Sequence, residues 1–132
     1  MSKTAIEYAA EYVAGMMGRL ALSYAPWRYK TSGDDPLPDQ YFVGDFSEVP
    51  STTAEENGMR PVTVILRGYT RGDMLSLFVA AGKIEKSCAK TEILPDGTGI
   101  AVFYDSAMAV PTGDAELKSI KINLNMQIWR VK

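Results

Sequence analysis

The chain is 132 residues long, 46% hydrophobic and 23% charged, which is the make-up of one ordinary globular domain spanning residues 1–132. A formal net charge of −2, with 14 scattered Lys and Arg, argues against a dedicated nucleic-acid binder, which clusters its cations on phosphates. One cysteine, Cys88, excludes an internal disulfide and a multi-thiolate metal site and fits a reducing compartment.

The spacing of Ile6, Ala9, Ala10, Val13, Met16, Met17 and Leu20 predicts a helix over residues 3–23 with one apolar stripe. Thr4 or Ser2 caps its start, and Glu7 completes a capping box with Thr4. Gly15 and Gly18, three apart, read either as tolerated glycines or as a close-packing face. The segment does not read as a signal peptide, because Glu7 and Glu11 break its apolar run and Arg19 stands where a small-residue cleavage site belongs. No apolar run approaches the ~20 residues that span a bilayer.

A short strand is expected over residues 27–31, in the sequence PWRYK and the residue after it, followed by an acidic, proline-stiffened loop over 31–40. Residues 41–49 read as a strand with a bulge or bend at Gly44, and 50–58 as a polar loop or hairpin arm. The β-branched stretch 59–70 is the central-strand candidate, with Pro61 near its start because proline cannot donate to a ladder. Residues 71–88 form the second predicted helix, capped by Asp73, with Met74, Leu77, Phe78, Ala81, Ile84 and Cys88 on its buried stripe. A turn over 94–99 leads into a strand over 100–110, and the Pro111–Asp114 turn connects it to a closing strand over 116–131. The order α-β-β-β-α-β-β predicts an α+β single domain: a mostly antiparallel sheet of four to five strands with both helices packed on one face.

In the closing strand Ile120, Ile122, Leu124, Met126 and Ile128 share one face. Lys121, Asn123, Asn125 and Gln127 share the other, which is polar yet almost uncharged. Two readings stand for that face: a plain solvated sheet surface, or a surface that lines a lumen or meets a neighbour, where uncharged polar groups avoid the desolvation cost of buried charge.

Nothing in the chain assembles into catalytic machinery. With no histidine, the residue most used for acid–base work near neutrality is missing, and with it the Ser-His-Asp and Cys-His nucleophile arrangements. Cys88 falls in step with the buried stripe of the second helix and reads as a packed thiol. Asp34, Asp35 and Asp39 lie close enough in sequence to hold a hard cation, but Pro36 and Pro38 restrict their convergence and a solvated acidic loop is the better reading. PDGTG and PTGD feed strands rather than helices, so neither is a phosphate loop. Arg71-Gly72-Asp73 matches an adhesion tripeptide but here opens a helix. The mixtures PWRYK and IWRVK resemble base-stacking patches, though a Trp partly covering a neighbouring strand explains them better. Trp, Tyr, Met and Arg are also the residues enriched at protein interfaces.

The series YFVGDFSE, then VTVILRGYTRG running into a helix, then GIAVFY and VPTGDAELKSIKINL, resembles small prophage proteins of the tail-terminator or tail-completion family of long-tailed phages. The likeness covers about residues 39–132. It implies a small α/β virion protein, assembled in the bacterial host cytoplasm. Such a protein forms a homo-oligomeric ring, commonly of six subunits, at the head-proximal end of the tail. The ring ends tail-tube polymerisation and meets the head-completion proteins. The resemblance implies no enzymatic activity and no cofactor, while the residue types, the charge and the lack of a long apolar run give no expectation of a metal, a specific nucleic acid or a membrane. Alternatives are a neck or head–tail connector protein and a small host-directed binding module. Candidate assembly residues are Lys121, Asn123, Asn125, Gln127 and Trp129 on the closing strand, with Glu55, Glu56 and Asn57 in the polar arm.

Overall fold

Two long strands organise the chain. The computed structural model describes residues 4–27, 38–48, 59–88 and 90–130. Within them are helices α1 (Ala5–Arg19) and α2 (Met74–Ser87), and strands β1 (Tyr24–Pro26), β2 (Gln40–Glu48), β3 (Met59–Thr70), β4 (Lys90–Ile93), β5 (Thr98–Val110) and β6 (Lys118–Arg130). They make one six-stranded sheet in the order β1-β2-β3-β6-β5-β4. β3 and β6 pair antiparallel without interruption from Met59↔Trp129 to Thr70↔Lys118. Their even-numbered residues, Val62, Val64 and Leu66 with Ile120, Ile122, Leu124, Met126 and Ile128, are all buried.

That apolar row is covered by both helices on the same side. Tyr8, Ala9, Val13, Met16 and Met17 of α1, and Leu77, Ala80, Ala81 and Ile84 of α2, join the strand residues in one core. The predicted α+β domain with helices on one face is therefore present, but its sheet is mixed and has six strands. The added strand is β4, whose four residues are all exposed and carry no alternating pattern. The parallel pair is β1 with β2.

Several boundaries move for physical reasons. The capping box forms as expected: Thr4 Oγ1 accepts the Glu7 N–H at 3.1 Å and Glu7 Oε1 accepts the Thr4 N–H at 3.0 Å. However, α1 ends at Arg19 and not near residue 23, because Ala21 adopts φ 58°. The N–H of Leu22 then reaches the Met17 carbonyl and that of Ala21 the Gly18 carbonyl, closing the last turn with a six-to-one and a five-to-two bond. The first strand described is Tyr24–Pro26, and Trp27, at φ 64°, turns the chain out of it; the rest of the strand expected at 27–31 falls outside the described residues. Gly44 neither bulges nor bends β2, which pairs in unbroken register from Gln40↔Thr70 to Glu48↔Val62. A glycine stands there because a Cβ would lie 2.6 Å from the Tyr24 hydroxyl. In α2, Asp73 Oδ1 caps the Leu75 N–H at 3.0 Å as expected, but Phe78 points outward rather than into the core. Residues 28–31, Asp34, Asp35 and the polar arm with Glu55, Glu56 and Asn57 lie outside the described residues.

Two glycines give opposite stability predictions. A Cβ at Gly68 would sit 2.4 Å from the buried Phe42 ring and 2.9 Å from Ile120, whereas one at Gly18 meets nothing within 4 Å. Gly68→Ala should lower stability by about 1–3 kcal/mol through overpacking. Gly18→Ala, on the exposed side of α1, should raise it by up to about 1 kcal/mol. Chemical denaturation of the two variants reads both signs.

Candidate assembly face

Because both helices occupy one side of the sheet, the odd-numbered residues of β2, β3 and β6 form a second face that no described element covers. Strand register arranges it in cross-strand rows. Ser47, Thr63, Asn125 and Phe103 make one row, and Asp45, Ile65, Asn123 and Ser106 the next. Val43, Arg67, Lys121 and Met108 make a third, and Tyr41, Tyr69, Ser119 and Val110 a fourth. The sequence-predicted residues Lys121, Asn123, Asn125, Gln127 and Trp129 all lie on this face.

Internal contacts stiffen it. Arg67 Nε meets Asp45 Oδ2 at 3.1 Å, which neutralises a cation standing directly across from Lys121. Both side chains of that pair are about 40% exposed, so its net contribution is small. The Asn123 amide donates to Ser106 Oγ at 3.0 Å. The Tyr41 and Tyr69 rings stack at 5.2 Å, and burial, then proximity to Tyr69, raises the Tyr41 phenol above its usual pKa. Trp129 lies flat over Gly99, where a Cβ would come within 2.4 Å of the indole. This is the partial covering expected of IWRVK, and the Arg67, Tyr69 and Lys121 side chains border a hollow of about 350 Å³ at the foot of the β5–β6 hairpin.

The sequence reading missed Phe103 and Met108, which are 44% and 55% exposed on this face. An odd and an even residue of one strand share a face here because β5 slips register between Tyr104 and Ser106. Asp105 is the extra residue, and the bulge reverses the parity of everything after it. A polar DS pair inside an otherwise apolar strand was the available signal.

The described residues contain no group of three His, Cys, Asp or Glu able to hold a cation. Asp39 is engaged through its backbone carbonyl, which accepts the Arg71 N–H at 3.3 Å. Cys88 is buried at the end of α2, and burial, helped by Glu85, pushes its thiol up to about 11. The chain matches no known protein-family model and no curated protein. No described helix is long and apolar enough to cross a membrane.

The buried acids predict an alkaline transition. Burial pushes the Tyr24 phenol up to about 12, with Asp45 adding to it, and the Cys88 thiol to about 11. Both folded pKa values exceed their ordinary values of 10.0 and 9.0, so the unfolded chain ionises first. Their stabilisation is complete below pH 9 and is lost as pH rises towards 11–12. The denaturant midpoint should fall across that window, and Cys88→Ala should remove the lower part of the fall. In the native protein at pH 8, Cys88 should resist thiol reagents and react only on unfolding.

Proposed function

We propose that this protein is a structural phage subunit that forms a ring at the head-proximal end of the tail, ends tail-tube polymerisation and joins the tail to the head. The observation that carries this reading is the sheet face that no described element covers: rows rich in amides and hydroxyls with exposed Phe103 and Met108 among them, opposite the core on the other side. Phe103 and Met108 stand singly among polar rows on a flat, stiffened face, where contact with a neighbour would take their apolar area out of water. Uncharged polar rows suit burial against a neighbour, because each amide exchanges water for a protein partner without stranding a charge. A second apolar strip, Leu75 and Val79 on the outer side of α2, lies across the sheet from that face and is also exposed. Two unlike patches on opposite sides are what head-to-tail contacts require, and such contacts close into rings. The resemblance to tail-terminator proteins supplies the place in the virion.

Light scattering on the purified protein tests the assembly, and electron microscopy of particles from a deletion strain tests the role. Overlong or headless tails, and the protein's presence in purified particles, are expected. Absence from particles together with normal tails would sink the proposal. Phe103→Glu with Asn125→Lys should abolish the ring while leaving the monomer's denaturation midpoint nearly unchanged, since both sites are exposed.

A further inference from the structure

The sheet has two edges, and they are finished differently. At the β1 edge, Pro26 has no N–H to offer and Trp27 turns away at φ 64°, its ring set edge-on against Phe46 at 5.6 Å. At the other edge, β4 covers β5 only over Gly99–Val102. The eight residues from Phe103 to Val110 have no strand beside them among the described residues. Backbone N–H and C=O groups along that stretch can be satisfied in a ladder only by another extended strand.

Exposed apolar side chains stand on both sides of this same edge. On the open face is Met108. On the helix side α2 runs alongside β5: Met74 borders one hollow with Ala109 and Val110, while Glu85 lies close enough to Tyr104 to help raise its phenol, after burial itself. Phe78, one helical turn on from Met74 and so on the same side of α2, is 41% exposed. A partner resting on the open face would cover Met108 and leave Phe78 bare. A strand laid on the edge covers both.

We propose that the free β5 edge pairs antiparallel with the same edge of a second copy of this chain, about a two-fold axis at Ala107. The register is self-compatible. Each Ser106 then faces Met108 of the second copy on the open side and the two Ala107 residues face each other, so no like charges oppose one another. The two α2 helices then lie antiparallel across the axis with Phe78 meeting its counterpart, and Glu85 of each faces the end of the other that carries Arg71, whose exposed guanidinium also lies 3.7 Å from Asp114 of its own chain. That is charge complementarity. The bulge at Asp105 limits the regular ladder to the residues after it, so the dimer is reversible rather than obligate. The ring reading uses the sheet face and this one the sheet edge, so either holds without the other.

Sedimentation equilibrium and a cysteine variant test it. The wild-type chain should show a monomer–dimer equilibrium, and Phe78→Asp or Met108→Asp should each weaken it by about tenfold or more. Glu85→Arg and Arg71→Glu should each weaken it singly and together restore it. In Ala107→Cys, on-axis thiols on directly opposed residues fall within disulfide reach and should link into a dimer on mild oxidation. Native Cys88 is buried and stays silent. A chain that remains monomeric at every concentration and does not cross-link overturns the proposal. So does a larger closed assembly in which Ala107→Cys fails to link, which would leave the ring reading intact. Association that survives Phe78→Asp unchanged also overturns it.

Discussion

The β3–β6 ladder is the constraint from which the rest of the molecule follows. Side chains alternate along a strand with a period of two, so a one-residue slip would turn the whole buried row of β6 outwards. With Ile120 to Ile128 locked beside Val62 to Leu66, the position of every amide on the opposite side is fixed as well. β2 adopts the same parity, with Phe42 and Phe46 inward, and Phe42 fills the space over Gly68 that any other residue would occupy. Only one side of the sheet is then apolar enough to recruit helices. Both go there, and no described element covers the other side, as a consequence of the core rather than as a separate decision.

This dependence explains what the sequence made legible. The alternation of residues 118–130, the β-branched run of β3, the stripe of α1 and the caps at Thr4 and Asp73 are local patterns that tertiary packing had no reason to override, and each forms as read. The candidate face was legible for the same reason, since it is the complement of the core row. What escaped were features set by contacts distant in sequence. β4 is an edge strand with no buried side, so it has no periodicity to detect. α1 stops early because Ala21 takes a left-handed conformation without being glycine. Gly44 looked like a bend because the Tyr24 ring that displaces its side chain is 20 residues away in the chain.

The bulge at Asp105 links these themes. It reverses the parity of β5, so Phe103 and Met108 come to the same face while Tyr104 and Ala107 both turn to the core side. A regular strand could not do this with that sequence. The same bulge, with its exposed carboxylate, also interrupts an edge that would otherwise offer eight unpaired residues in a row. Edges are commonly blunted by such devices against indiscriminate pairing. Here the blunting is partial, in contrast to the opposite edge, where Pro26 and Trp27 close it.

The same balance runs across the uncovered face. Its one close pair of cations, Arg67 and Lys121, is moderated by Asp45, and the remaining polar side chains are amides and hydroxyls that water satisfies easily. Burying that face costs little in desolvation compared with a charged one, because hydrogen bonds to water are exchanged for hydrogen bonds to a neighbour. Leaving it wet costs little too, since Phe103 and Met108 are single side chains set among polar rows rather than a continuous patch. A surface with a small free-energy difference between its wet and buried states passes from one to the other with a small change in its surroundings. A charged face would resist burial, and a fully apolar one would aggregate before meeting its partner. The amide rows of β6 sit between those limits, and the core on their other side holds them there.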